Sequence, residues 1–597
     1  MTKINLTETS PQTRLVAWIS LLLLTACLLL FPVNLAYQYR AIQAPYIFEN
    51  LPLFSAMFCV WVLLWFFLLF SRKDTGRQLD WQNLVLVCVF GAVFIGFWST
   101  VSPYSCYADD MYNMGHVRWL NENGSIPIGA ENLVYFDHPG MHILVSAISQ
   151  CTGLDIFDSR LLFKVLNTAL FSALYYIYAV RILKSNRLAC FSFLVVVVGS
   201  IVLVDKMRIF SAGSLGYTML AGFLLLLTCS EVKVFGTTLA ERVVLLLLFS
   251  AMVISYLPAT LLVVFIMFFM LAVGLVGRTK QPQPSLTTIC LFLVMMLAWE
   301  LYWTWHTFPG LVSFLPQIKE DLFSGQFLEG LLVMGSANVG EAVPFWANIT
   351  RLIWWALLGI ATILCLLGLL RIKRLEADER LIIGGLLAVT LMAGLGLVAS
   401  WSGYQFKRFL LYAPLFCMPY LLLFLLRFRS CGKILLTSLA ALTLVLALPT
   451  FLCCINSVAT DATQNYECAA GEFLDSRGTA GGSNYYVHST FVFTVPWIFY
   501  YVPSARQDGV AERDFYARGG NEVLWQSLDG VLDSYTRPAS WITQQRLFVW
   551  GEKSKEPFEH LRGIPADDPH WDVVTQVLSE TDRIYDNGHL QIFTVPT

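Results

Sequence analysis

The sequence predicts a polytopic α-helical membrane protein, with about 13 transmembrane helices, followed by a small C-terminal external α/β domain. Hydrophobic residues make up 57% of the 597 residues and charged residues only 13%, whereas soluble domains carry about 25% charged residues. Apolar runs long enough to cross a bilayer recur through residues 1–455, and the composition of residues 456–597 returns to a soluble pattern. The net charge of −2 and the lack of a basic motif argue against a nucleic-acid partner.

Windows of about 20 apolar residues, the length that a helix needs to span the hydrocarbon core, locate the transmembrane helices. The run Glu241–Arg278 is too long for one straight helix, so it is divided near Ser255 and Pro258; one kinked helix is the alternative. The predicted spans are 13–34, 51–71, 83–101, 161–182, 189–205, 211–230, 241–256, 257–277, 286–305, 346–370, 380–400, 404–427 and 432–454.

The charges of the connecting loops predict the orientation. With the N-terminus in the cytoplasm, most loop Lys and Arg residues fall on the inner side, as the positive-inside rule requires. Loop 102–160, loop 306–345 and the segment from Asn456 onward then lie on the outer face. We expect an integral protein of a bacterial inner membrane, with these parts in the periplasm.

Loop 102–160 contains the most polar stretch of the first third of the chain. Asp109 and Asp110 follow directly on the apolar run Leu84–Phe97. Two carboxylates at a membrane surface are costly to keep charged unless they bind or react with something. Helix N-capping is the alternative, because both acids precede the helical pattern Met111–Asn121.

The acidic pair, a short helix, Gly124, Pro127 and then Tyr135-Phe-Asp-His-Pro139 resemble the first external loop of type C glycosyltransferases. Protein O-mannosyltransferases and lipid A aminoarabinose transferases have similar loops. The resemblance extends over about thirty-five residues. It implies a sugar donor carried on a polyprenyl phosphate and a catalytic role for the first acid, Asp109.

Two features depart from that pattern. A basic residue often stands in those families where His138 stands here. The Trp-Trp-Asp signature of oligosaccharyltransferases is also missing, since Trp354-Trp355 is followed by Ala356. The departures leave the sugar and the acceptor undetermined, so a lipid, a glycan and a protein all remain possible acceptors.

With this resemblance, the sequence predicts an inverting glycosyltransferase acting at the outer face of the lipid bilayer. Asp109 is the candidate base for the acceptor hydroxyl. Asp110 either shares that work, orients a sugar hydroxyl, or joins Asp109 in holding a divalent cation such as Mg or Mn. Candidates for binding the donor phosphate are Lys206, Arg208, Lys407, Arg408 and His138, although cations at helix ends also reach lipid headgroups. Candidates for substrate binding are Tyr107, His116, Arg118, Tyr135 and Glu300.

Two further predictions concern cysteines and the C-terminal segment. Cys106 and Cys151 bracket the polar loop and are candidates for a disulfide if the loop faces an oxidising compartment. In the C-terminal segment, Asn587-Gly588 predicts the turn of a terminal hairpin. The segment either binds an acceptor or supports the outer face, because it shows no nucleophile motif or phosphate loop.

Two other classes of function compete with the transferase. A multi-span transporter or a flippase of lipid-linked glycans would carry polar groups near the bilayer midplane, whereas the predicted helix centres are nearly all apolar. A non-catalytic scaffold that binds a partner through its external domain would keep its function after loss of both acids.

Overall fold

A computed structural model gives the architecture of the chain. It describes residues 14–26, 51–70, 76, 78–101, 108–126, 137–199, 207, 210–229, 239–277, 284–304, 377–399, 409–426, 438–445, 485–489, 545–551, 583–587 and 590–595, with isolated positions of 356–375, 469–474 and 576–579.

The described part of the chain is mostly helical, as the sequence predicts. Its helices are α1 (Arg14–Ala26), α2 (Leu51–Phe70), α3 (Trp81–Val101), α4 (Ala108–Asn123), α5 (Gly140–Thr152), α6 (Ile156–Leu183), α7 (Asn186–Gly199), α8 (Ala212–Cys229), α9 (Leu239–Ser255), α10 (Leu257–Val276), α11 (Leu286–Tyr302), α12 (Ala377–Ala399) and α13 (Ala413–Leu426).

Most of these helices lie within or close to a predicted span. Among the described residues, α6 and α10 are long and apolar enough to cross a membrane by themselves, and shorter apolar helices include α1, α8 and α11. The number of spans therefore stays a prediction. Helices α4 and α5 differ from the others, because both lie in the predicted external loop 102–160.

The predicted division of the run Glu241–Arg278 is confirmed. Helix α9 ends at Ser255 and α10 begins at Leu257, with Pro258 in its first turn. Between them Tyr256 is extended, with φ −163° and ψ 101°. Proline fits the first turn of a helix because the N–H that it lacks would have no partner there. The extended Tyr256 and the following Pro258 therefore separate the end of α9 from the start of α10.

Helix α6 passes through the centre of the bundle and has defined ends. The side chain of Asp155 accepts a hydrogen bond from the N–H of Asp158 at the start, and Lys184 takes a left-handed conformation with φ 56° at the end. Its 28 residues extend over about 42 Å. Gly91 lets α3 lie against α6, because a Cβ there would be 2.1 Å from Ser172 Oγ.

The main core is aromatic where α2 meets α3. Trp61 stacks on Phe90 with ring centroids 4.9 Å apart, and Trp65 meets Phe90 edge-on at 5.4 Å. Trp61 Nε1–H also donates to the hydroxyl of Thr25 in α1 (2.9 Å). Aromatic pairs in these orientations contribute beyond the area that they bury.

Hydrogen bonds at one end of the bundle join two loops that are both predicted to lie inside. Asn186 Nδ2–H donates to the carbonyls of Gly76 (2.9 Å) and Gln78 (2.6 Å). The hydroxyl of Tyr176 donates to Asn186 Oδ1 (2.6 Å). These contacts agree with the predicted sidedness of the two loops, and the compartment itself stays a prediction.

The C-terminal segment contains one four-stranded sheet of β1 (Tyr485–Ser489), β2 (Gln545–Gly551), β3 (Arg583–Asp586) and β4 (Leu590–Val595), in the order β1-β2-β4-β3. Strand β1 is parallel to β2, and β4 is antiparallel to both β2 and β3. The terminal hairpin is confirmed: Leu590 N–H donates to Asn587 Oδ1 (2.9 Å) across its turn. Its membership of an external domain stays a prediction.

Candidate active site

Asp110 lies at the centre of a buried ionic cluster. Its Oδ2 accepts hydrogen bonds from Lys164 Nζ (2.9 Å) and Arg160 Nη1 (3.1 Å), and its Oδ1 accepts one from the backbone N–H of Phe210 (2.6 Å). The side chain of Asp110 is 0% exposed, that of Lys164 1% and that of Arg160 2%. Three segments distant in sequence, α4, α6 and the turn before α8, therefore meet at this carboxylate.

The cluster forms because of the register of two helices. Arg160 and Lys164 are four residues apart in the first turns of α6, so both side chains lie on one face of the helix. On α4, Met111 and Met114 are buried, so the side of the helix that carries them packs against the rest of the protein. A buried charge is tolerated only when it is paired and hydrogen-bonded, and Asp110 meets both conditions.

The contacts of Asp110 indicate a structural role for this residue. Both Asp110 oxygens are already hydrogen-bonded to the three groups above, so its geometry is that of a residue that holds α4 in place. The backbone of Asp109 forms part of the first turn of α4. Its side chain lies outside the described residues, and its role as base stays a prediction.

Arg160 and Lys164 are absent from the sequence-based candidates. The prediction that helix centres are nearly all apolar overlooked them, because Lys164 lies inside the predicted span 161–182. The signal was present: a lysine within an apolar run, one turn after an arginine, requires an acidic or phosphate partner. What the sequence does not show is that this partner is Asp110, 54 residues before Lys164.

His138 and Glu300, predicted separately, lie together. His138 Nε2 is 3.7 Å from Glu300 Oε1, and His138 Nδ1 is 3.1 Å from the carbonyl oxygen of Val253. The hydroxyl of Thr304 donates to Glu300 Oε2 (2.7 Å). Burial lowers the pKa of His138, while the negative charge of Glu300 and the hydrogen bond to Val253 oppose that shift.

His116 lies in the interface between α4 and α5. Its Nδ1–H donates to the carbonyl of Tyr112 one turn earlier (2.8 Å), and its ring lies 5.2 Å from the ring of His142. His142 Nε2 is 2.9 Å from Asn113 Oδ1. Burial lowers the pKa of His142 well below its ordinary range, and His116 adds to this shift. These contacts make His116 part of the helix packing.

Arg118 contacts Glu122 within α4, with 2.7 Å between Arg118 Nε and Glu122 Oε1. The pair is partly exposed, and such pairs stabilise a helix only slightly. Cys151 is an exposed free thiol, and the predicted bridge to Cys106 stays a prediction because Cys106 lies outside the described residues. Several predicted site residues lie outside the described residues: Tyr107, Tyr135, Lys206, Arg208, Lys407 and Arg408, together with Cys106.

The C-terminal segment packs directly on the acidic helix. Leu590 and Ile592 of β4 are buried in a second core that includes Met111 and Met114 of α4. Other members of this core are Val117, Met141, Val145, Phe163, Phe210, Leu215, Ala470 and Leu474. The terminal hairpin and the helix that carries Asp109 and Asp110 therefore share one hydrophobic core.

No group of three or more His, Cys, Asp or Glu side chains could hold a metal ion within the described ranges. At Asp110, a metal ion would have to replace Arg160, Lys164 or the Phe210 N–H as the partner of the carboxylate. The predicted divalent cation stays a prediction.

No protein-family model and no curated protein sequence matches the chain. Among solved structures it is similar to ArnT from Cupriavidus metallidurans in the apo state, with 12% identity, a TM-score of 0.45 and coverage of 86% of this chain and 98% of that one. ArnT bound to undecaprenyl phosphate gives 14% identity, a TM-score of 0.42 and coverage of 87% and 99%.

A third similar structure is the archaeal oligosaccharyltransferase AglB from Archaeoglobus fulgidus, in complex with an inhibitory peptide and a dolichol-phosphate. It gives 13% identity, a TM-score of 0.44 and coverage of 72% of this chain and 63% of AglB. All three TM-scores lie below 0.5, so the function proposed below is based on the residues of this chain.

Proposed function

We propose that the chain is a membrane glycosyltransferase that moves a sugar from a polyprenyl-phosphate donor to a hydroxyl of a lipid, glycan or protein acceptor, at the outer face of the membrane. The observation that carries the proposal is the burial of Asp110, the second acid of the pair in α4. Asp110 is buried against Arg160 and Lys164. Because Asp110 is already hydrogen-bonded within this cluster, we assign the proton transfer to Asp109, the other acid of the pair.

The reaction is a single displacement. The acceptor oxygen bonds to the anomeric carbon as the bond from that carbon to the phosphate oxygen breaks, which inverts the anomeric centre. The acceptor proton passes to the Asp109 carboxylate. The leaving oxygen keeps the bonding electrons, so the lipid phosphate gains negative charge that nearby cations stabilise.

The predicted phosphate-binding cations Lys206, Arg208, Lys407 and Arg408 lie outside the described residues, and each pair is followed in the sequence by a described residue. Lys206 and Arg208 precede Phe210, whose N–H donates to Asp110. Lys407 and Arg408 precede Tyr412, which stacks on Tyr217 of α8 at 4.3 Å.

The same end of the bundle also carries His138 and Glu300. In the proposal His138 contributes to binding of the donor phosphate and Glu300 to binding of substrate. Tyr107 and Tyr135 supply aromatic faces for a sugar, and the partly exposed Arg118 of α4 contributes to substrate binding. The bacterial inner membrane, with this face in the periplasm, is the proposed location.

The test compares Asp109→Asn with Asp110→Asn in the purified full-length protein, supplied with polyprenyl-phosphate sugars and candidate acceptors. We expect Asp109→Asn to lower transfer by about 10²–10⁴-fold, the usual contribution of a positioned base, while the amount of folded protein stays normal. We expect Asp110→Asn to lower the amount of folded protein. Transfer that survives in Asp109→Asn would exclude Asp109 as the base, and the sugar released by the wild type identifies the donor.

A further inference from the structure

Residues 137–140, at the end of the predicted external loop, contact the ends of α9 and α11. Trp299 Nε1–H donates to the carbonyl of Asp137 (3.0 Å). His138 Nδ1 contacts the carbonyl of Val253, and a Cβ at Gly140 would lie 2.2 Å from Ser255 Oγ. The N-terminus of α5 is thereby positioned by two other helices.

The contacts of His138 determine where its hydrogen lies. A carbonyl oxygen only accepts hydrogen bonds, so the Nδ1 that faces Val253 carries a hydrogen. In a neutral imidazole the other nitrogen, Nε2, then presents a lone pair. That nitrogen faces Glu300 Oε1 at 3.7 Å. With a neutral His138 and an ionised Glu300, two lone pairs would therefore face each other.

Burial makes this arrangement unfavourable. The side chains of His138 and Glu300 are 20% and 10% exposed. Thr304 satisfies Glu300 Oε2, whereas Oε1 is buried and makes no hydrogen bond within the described structure. A buried carboxylate oxygen without a partner costs free energy. A proton on Nε2 replaces this repulsion with the attraction between an imidazolium and a carboxylate, at the ion-pair distance of 3.7 Å.

We propose that His138 and Glu300 form an ion pair when Nε2 of His138 binds a proton, and that this ion pair holds residues 137–140 against α9 and α11 more firmly than the neutral imidazole does. The protonated pair carries no net charge, because it consists of one imidazolium and one carboxylate. Among the groups that face His138, α9 contributes the carbonyl of Val253 and α11 contributes the charge of Glu300.

The proton on Nε2 makes the contact depend on pH in one direction. Removing the proton at high pH leaves a carboxylate facing a lone pair, so the contact weakens as pH rises. Glu300 is then a positioning residue that acts through His138. This inference goes beyond the proposed function, because it holds for any activity at this face and its test does not measure turnover.

The test uses the full-length protein in lipid nanodiscs, with its eight histidines labelled with ¹⁵N and the His138 resonances assigned by their loss in His138→Asn. In the wild type we expect Nδ1 to carry a hydrogen throughout, and Nε2 to titrate once. In Glu300→Gln we expect the midpoint to fall by at least about 1 pH unit, because the carboxylate that stabilises the proton is gone. Glu122→Gln, an exposed acid of the same loop, should leave the midpoint unchanged.

Hydrogen exchange of the amides of residues 140–150 provides the second measurement. Above its midpoint the wild type should exchange at least about fivefold faster, after correction for intrinsic rates. Glu300→Gln should stay protected there, because its amide N–H can donate to Nε2 of the neutral imidazole. An unchanged midpoint in Glu300→Gln, or equal protection of wild type and Glu300→Gln at every pH, would overturn the proposal.

Discussion

Lys164 Nζ and Asp110 Oδ2 lie 2.9 Å apart, and neither side chain is more than 1% exposed. The contact joins the acid-bearing helix α4 to the first turns of α6. Because both charges have left water, each depends on the other for its stability in the folded protein. The backbone position of Asp109, one residue before Asp110, therefore depends on Lys164, which lies 54 residues after Asp110 in the chain.

Asp110→Asn should lower stability strongly, because it leaves Arg160 and Lys164 buried without the carboxylate that accepts from both. Breaking a buried ion pair costs about 3–5 kcal/mol. Thermal unfolding in detergent, with the folded fraction at each temperature determined by size-exclusion chromatography, measures the effect. Lys164→Met should cost less, since Asp110 keeps Arg160 and the apolar side chain fits a buried site.

Glu122→Gln is the matched control. It removes an acid of the same helix that pairs with Arg118 at the surface, and such pairs contribute less than about 1 kcal/mol. If Asp110→Asn unfolded at the same temperature as Glu122→Gln, the ionic cluster would not hold α4, and Asp110 would become a candidate for ligand binding.

The helices could be predicted because their length and apolar character are local properties. Most described helices end within a few residues of the predicted spans, and the division at Ser255 follows from the length of the apolar run together with Pro258. The terminal hairpin has the same basis, since Asn587 supplies the hydrogen bond that closes its turn.

The partners of the polar residues could not be predicted, because they depend on tertiary packing. Asp110 is noticeable in the sequence as an acid beside a membrane span, yet its three partners come from α6 and from the turn before α8. His138 and Glu300 are each noticeable, while their contact requires α11 to reach the loop. The packing of β4 on α4 has no local signal at all.

Gly140→Ala should displace the N-terminus of α5. The new Cβ would lie 2.2 Å from Ser255 Oγ and 3.1 Å from the carbonyl oxygen of Ile254. The serine side chain can rotate, but the backbone carbonyl cannot move without changing the end of α9. We expect a loss of about 1–3 kcal/mol, as for other overpacked sites, measured by thermal unfolding.

The double variant Gly140→Ala/Ser255→Gly provides the control for this prediction. It removes the nearer of the two obstacles and should recover part of the loss, which a double-mutant cycle detects as a coupling free energy. Additive effects of the two substitutions would show that α5 and α9 do not approach as closely as described.

Ile592→Ala, a substitution near the C-terminus, should weaken the packing of α4, the helix that carries Asp109 and Asp110. Ile592 is 0% exposed in the core that β4 shares with Met111 and Met114. Its truncation leaves a cavity, and such substitutions cost about 2–5 kcal/mol. Hydrogen exchange should rise in residues 108–123 and stay unchanged in α10. Ile592→Val should cost only about 0.5–1.5 kcal/mol, and equal exchange in all three proteins would contradict contact between hairpin and α4.

Acid should weaken the packing of α4 on α5 through His142. Burial holds the pKa of His142 well below its ordinary range in the folded protein, whereas the unfolded chain binds the proton near pH 6.5. Below about pH 6.5 the unfolded state therefore binds more protons, and stability falls as pH falls, by up to about 1.4 kcal/mol per pH unit for this one group. Exchange of the amides of α4, the partner helix in this packing, at pH 7 and pH 5 and corrected for intrinsic rates, measures it.

His142→Gln removes the titrating group and keeps an N–H that can donate to Asn113, so the loss of stability between pH 7 and pH 5 should shrink. Ser146→Ala is the control that does not titrate. It deletes the hydrogen bond from Ser146 Oγ to Asn121 Oδ1 (2.7 Å) across the same interface. Its cost should be equal at both pH values, because no proton is bound or released. If the stability of His142→Gln fell as steeply in acid as that of the wild type, a group other than His142 would be responsible for the pH dependence.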